Sequence, residues 1–143
     1  MKFERCVTSL NNKVVPVEEN GKKCIFNNPH QTEIRKIKFD KCLIPQTQQQ
    51  LSCDYGIWVD LCNKCYFIEL KGKDIKHACN QLVATINYVR ENYDEELVGM
   101  EVIAAIVPSA NSIPNLKQSP EYLKLKKMVN SVKNKNKILE IDI

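Results

Sequence analysis

Apolar positions in this chain fall into short runs whose spacing changes along its length. Phe3, Cys6, Val7 and Leu10 recur at helical spacing, which predicts a short N-terminal helix. "KVVPVEENGKKCIF" carries two β-prone runs around Glu18, Glu19, Asn20 and Gly21, the pattern of a hairpin, and Pro16 suits an edge strand. "EIRKIKFDKCLI" sets Ile34, Ile37 and Phe39 imperfectly against basic residues and reads as a strand. Polar "PQTQQQLS" follows as a loop. "CDYGIWVDLCNKCYFIELKGK" is two apolar runs: a strand near residues 53–59, a turn over 60–64, and a strand over 65–71 ended by Gly72.

The period then lengthens. Asp74 is positioned to cap a helix reaching residue 93, with Ile75, Ala78, Leu82, Ile86 and Val89 on one stripe. "EVIAAIV", stopped by Pro108, suits a strand buried on both faces. "SANSIPNLKQ" reads as a loop, and "SPEYLKLKKMVNSVK" as a helix with Ser119 as cap and Pro120 in its first turn. "KILEIDI" closes the chain as an alternating edge strand. Strand, helix, strand in succession favours a parallel crossover, so the expected fold class is α/β, a central mixed β-sheet flanked by helices.

Length adds that the whole of 1–143 suits a single domain able to bury a core, with no internal repeat or linker to divide it. No run approaches the roughly 20 apolar residues of a membrane span, and the N-terminus lacks an export-type apolar stretch. The expectation is a cytoplasmic protein without membrane partners. Seven cysteines, an odd number without an export signal, then read as reduced thiols. A net charge of +4 biases the chain mildly toward anionic partners. The bias is uneven: Lys117, Lys124, Lys126, Lys127, Lys133, Lys135 and Lys137 are set against one acid, Glu121. That run reads first as a solvated helix face and second as a phosphate-backbone contact.

Charge inside an apolar strand changes the picture more. Glu69 and Lys71 stand among Tyr66, Phe67, Ile68 and Leu70, and Asp54 lies just inside the preceding run. Buried charge is expensive unless it is paired, bound to metal or used in chemistry. Glu69 and Lys71 are two apart and share a strand face; an odd-sum register across the hairpin brings Asp54 to them, and an even one sends it away. Two carboxylates beside an ammonium suit Mg²⁺, which takes carboxylates, water and phosphate oxygens, with the Leu70 carbonyl as a further oxygen. Such an ion lowers the pKa of bound water, and a lysine orients that water or stabilises developing charge.

Asp54, a fourteen-residue gap and Glu69-Leu70-Lys71 together resemble the D…(D/E)xK signature of the PD-(D/E)xK nuclease superfamily, the restriction-endonuclease-like fold. The likeness runs from about Asp40 to Pro108. It implies a restriction-endonuclease-like core and a metal-dependent endonuclease hydrolysing phosphodiester bonds in DNA or RNA. Asp54, Glu69 and the Leu70 carbonyl would hold Mg²⁺ or Mn²⁺, and Lys71 would assist the water. Gln81, on the following helix, matches a glutamine found in several branches and would position the water or a phosphate as a fourth catalytic residue, with His77, Thr85 and Tyr88 on or near its face. Cys53 stands where the signature has proline. A supporting third acid is Glu4, Glu33 or Asp40.

So small a chain has little room for base readout, which points to structure- or end-dependent cleavage or to a targeting partner protein. A homodimer would bring two sites to two strands. The alternative function is a non-catalytic nucleic-acid- or protein-binding domain of the same fold, including an immunity-type module. Cys62 and Cys65 form a lone CxxC; zinc would need further ligands such as Cys24, Cys42 or Cys53, and turn thiols without a ligand role are the simpler reading. Serine-nucleophile, P-loop and dinucleotide motifs do not occur.

Overall fold

The computed structural model describes residues 2–45, 50–70, 74–108 and 116–143. A short helix α1 (Lys2–Arg5) leads into β1 (Val7–Leu10), followed by β2 (Val14–Glu19), β3 (Lys22–Asn27), β4 (Ile34–Lys38), β5 (Tyr55–Val59) and β6 (Lys64–Glu69). After α2 (Ile75–Asn92) come β7 (Glu101–Ile106), α3 (Pro120–Met128), β8 (Ser131–Asn134) and β9 (Ile138–Asp142). A six-stranded sheet has the order β1-β4-β5-β6-β7-β8, and a three-stranded sheet has the order β2-β3-β9. The large sheet is mixed: pairings are antiparallel from β1 to β6 and parallel from β6 to β8.

The α/β class and the mixed sheet agree with the sequence pattern, but among the described residues only one face carries helices. Cys65 and Phe67 of β6 pack with Ala78, Leu82 and Ile86 of α2 and Leu125 of α3. Tyr66, Ile68 and Leu70 point the other way, into Val15 and Val17 of β2, Phe26 of β3 and Ile141 of β9. Both faces of β6 are therefore dry, which explains its unbroken apolar run. Among the described residues no helix is long and apolar enough to cross a membrane.

Local signals explain most boundaries. Asn20 and Gly21, at φ 52° and 78°, make the two-residue loop between Glu19 and Lys22, and Pro16 lies on the free edge strand β2. The Asp74 carboxylate accepts from the His77 amide at 3.0 Å at the start of α2. Ser119 Oγ accepts from the Tyr122 amide at 3.2 Å at the start of α3. Gly56 is needed for space: a Cβ there would sit 2.6 Å from Trp58 Cζ3 and 2.7 Å from Phe39 Cε2.

Three expectations are corrected. Helical spacing in "FERCVTSL" yields only α1, because Val7, Thr8 and Ser9 instead pair with Ile37, Lys36 and Arg35 on β4. The helix expected over "SPEYLKLKKMVNSVK" stops at Met128, and residues 131–134 join the parallel edge of β7. Asn130 makes that switch, its amide donating to the Val102 carbonyl at 2.8 Å and its side-chain oxygen accepting from the Val102 amide at 2.8 Å. Finally, the cysteines are not all thiols: Cys6 and Cys42 form a disulfide, since the β1–β4 pairing brings Cys6 beside the turn after β4, with Cα atoms 5.8 Å apart. An odd count requires only that one thiol be left over, and five are free.

Candidate active site

The β5–β6 hairpin delivers the two acids of the triplet to one end of the large sheet. Tyr55 pairs with Ile68 and Gly56 with Phe67, so extending that register by one residue sets Asp54 across from Glu69. This is the parity that clustering requires. Past the end of the ladder, Asp54 Oδ2 accepts from the Leu70 amide at 2.8 Å, and the Asp54 amide donates to the Ile68 carbonyl at 3.1 Å. The Asp54 carboxylate thus lies against the peptide that follows Glu69. Glu69 is fully buried and Asp54 is 3 % exposed.

The Cys53 thiol reports on both carboxylates. Burial pushes its pKa well above the usual thiol range, the charge of Glu69 pushes it further, and Asp54 adds to the same effect. One sulfur therefore feels both acids, which places them in a common electrostatic neighbourhood. On its open side Asp54 lines a cavity of about 120 Å³ with Glu19, Lys38, Asp40, Lys41 and Tyr55.

Helix α2 braces the segment before Asp54. Thr85 Oγ1 accepts from the Cys53 amide at 2.7 Å and donates to the Gln81 carbonyl at 2.8 Å. Gln81 Nε2 donates to the Ser52 carbonyl at 3.1 Å, and Ser52 Oγ donates to Asp40 Oδ1 at 3.1 Å. Gln81 is thereby committed to holding the chain that carries Asp54. Thr85→Val keeps the shape but leaves the buried Cys53 N–H without its acceptor. The expected loss is about 1–3 kcal/mol, read from the midpoint of chemical denaturation, and an unchanged midpoint would contradict this bracing role.

The remaining expected residues divide. Lys71 and Gly72 lie outside the described residues. Of the three candidate third acids, Asp40 shares the Asp54 cavity, whereas Glu33 is exposed before β4, whose first residues lie beside the far end of β5. Glu4 is exposed on α1. His77 is exposed, and Tyr88 packs at the core margin near Tyr93. Cys62 is exposed at the hairpin tip while Cys65 faces the helix-side core, its thiol raised by burial to about 12. Cys24 lies in the other core layer and Cys42 is bonded to Cys6, so these cysteines do not assemble a zinc site among the described residues.

Sequence reasoning missed Glu19, Lys38 and Lys41. Glu19 reaches the cavity only because the second sheet packs over the first, a contact with no local signal. Compared with known proteins, the chain matches no family model, no curated protein and no solved structure. The geometry carries the functional argument alone.

Asp54 and Glu69 are of the residue type that a hard divalent cation takes. Among the described residues no three carboxylate, histidine or cysteine side chains group closely enough to hold an ion by themselves. Mg²⁺ takes one or two carboxylates and keeps several of its waters, so a site on Asp54 and Glu69 would need oxygens beyond these two side chains.

Proposed function

We propose that the chain is a single-domain, metal-dependent nuclease that hydrolyses phosphodiester bonds. The observation that carries this reading is the Asp54 carboxylate set 2.8 Å from the Leu70 amide, beside the fully buried Glu69. The antiparallel run β4-β5-β6, continued through α2 into parallel β7, supports a restriction-endonuclease-like core. Asp54, Glu69 and the Leu70 carbonyl would hold Mg²⁺ or Mn²⁺. When bound, the ion supplies a nucleophile near neutral pH and offsets charge building on phosphorus. Asp54 is held in place by Leu70, and Thr85 and Gln81 fix the chain before it. Lys71 would orient the attacking water or stabilise the developing oxyanion. The phosphate chemistry is common to DNA and RNA, and a targeting protein or a second copy of the chain would supply selectivity.

The test is a Mg²⁺ and Mn²⁺ titration with plasmid DNA and single-stranded RNA as substrates. Metal-dependent cutting is expected, and Lys71→Ala is expected to lower it by about 10²–10³-fold, the scale of losing one charge-stabilising group. Nucleic-acid binding without cutting at any metal concentration would instead establish the non-catalytic binding domain. The engagement of Gln81 on the Ser52 carbonyl gives Gln81 a structural task under either reading.

A further inference from the structure

The three-stranded sheet covers only part of the face it packs on. Its apolar residues meet Ile34, Ile57, Val59, Tyr66, Ile68, Ile103 and Ala105. Lys36 and Lys38 lie two and four residues beyond Ile34, and therefore on the same face. Beyond the covering sheet lies a groove of about 260 Å³ lined by Cys6, Thr8, Leu10, Lys36, Lys38 and Tyr55. It shares Lys38 and Tyr55 with the cavity that contains Asp54, so the two adjoin.

We infer that this groove holds a single nucleic-acid strand and leads it to Asp54, with Lys36 and Lys38 on successive phosphates and Leu10 and Tyr55 as an apolar floor. The two lysines are i and i+2 on β4, about 7 Å apart along a strand, comparable with neighbouring phosphates of an extended strand. Lys36 is pre-positioned, its Nζ 4.7 Å from the centroid of the Tyr55 ring. Half-burial pushes the Lys36 pKa down, so an arriving phosphate replaces solvation that the ammonium has already lost. An aromatic and aliphatic floor beside a basic wall is the chemistry of single-strand binding, in which unstacked bases find an apolar surface. At the far end the Asp54 cavity sets Glu19, Asp40 and Asp54 against Lys38 and Lys41. Binding in the groove needs no metal, whereas entry to that end is the step a cation would assist.

The direction of entry rests on the nuclease reading, whereas groove binding is measured without it. The experiment is fluorescence anisotropy in EDTA with labelled oligothymidine, oligouridine and a hairpin duplex, repeated over a range of salt. Both single strands are expected to bind more tightly than the duplex. Lys36→Ala with Lys38→Ala is expected to weaken them about tenfold and to lower the salt slope by about 0.7 per lysine. Lys124→Ala with Lys127→Ala, exposed on the helix-bearing side, is expected to change affinity less than about twofold, because these lysines lie across the sheet from the groove. Lys38→Glu, at an exposed position, serves as a second variant should the double substitution fail to fold, with circular dichroism as the check. Unchanged binding in Lys38→Glu, equal losses in the two lysine pairs, or a preference for duplex would overturn the inference. Metal-dependent cutting with intact binding in the groove variants would remove the groove and leave the nuclease standing. Groove-dependent binding without cutting under any metal would do the reverse.

Discussion

Glu69→Gln is expected to lower Mg²⁺-dependent cleavage by about 10²–10³-fold while single-strand binding in EDTA stays unchanged. The substitution conserves volume at a fully buried position of a central strand and exchanges a charged oxygen for an amide. A hard cation favours anionic oxygen, so the loss falls on metal affinity and on the step that needs the ion. Single-turnover cleavage across a metal titration separates the two: weaker metal binding moves the midpoint, and a lost chemical role lowers the plateau. Wild-type cleavage in the variant would refute the assignment of Glu69. Thermal unfolding run in parallel shows whether a lost rate reflects lost fold.

Trp58→Ala is expected to destabilise the fold by about 3–5 kcal/mol, a large share of the 5–15 kcal/mol typical of a domain. Trp58 is the largest fully buried side chain. Its ring lies 5.3 Å from Phe67, 6.0 Å from Phe3 and 6.3 Å from Phe39, so truncation opens a cavity that three stiff rings cannot fill. Its Nε1 also donates to the Glu96 carbonyl at 2.9 Å, which ties the start of the α2–β7 connection to β5. The measurement is the urea midpoint, expected to fall with an unchanged slope. A shift below about 1 kcal/mol would mean that the site collapses around the missing ring.

The two functional readings differ in what they ask of α2. Thr85, Gln81 and Asp74 all make bonds that hold backbone, to Cys53, Ser52 and His77 respectively. A catalytic site needs such rigidity, because its acids must be held within a fraction of an ångström of working geometry. A binding surface needs it less. A loss of cleavage in Thr85→Val much larger than its loss of stability would therefore favour catalysis.

Short-range order in this chain was legible from residue pattern. The Asn20-Gly21 hairpin, the Asp74 and Ser119 caps, the buried stripe of α2 and the doubly buried β7 follow from turn chemistry and periodicity. Those signals lie within a few residues of the structure they create. Asp54 and Glu69 also stood out as candidates, because charge inside an apolar strand is conspicuous, but only the register brings them side by side.

What the chain did not disclose depends on contacts distant in sequence. Val7 to Leu10 became a strand because β4 offered a partner, and Ser131 to Asn134 did so because β7 had a free edge. Helical spacing and β-branching were in conflict there, and pairing decided between them. By itself the sequence determined the α/β character, most element positions and which acids to suspect. Tertiary structure alone decided the hairpin parity, the Cys6–Cys42 bond, the second sheet and the meeting of Glu19 and Asp40 with Asp54 in one cavity. The physical reason is that periodicity encodes which side of an element is apolar, whereas register and layer packing are set by the sum of many distant contacts.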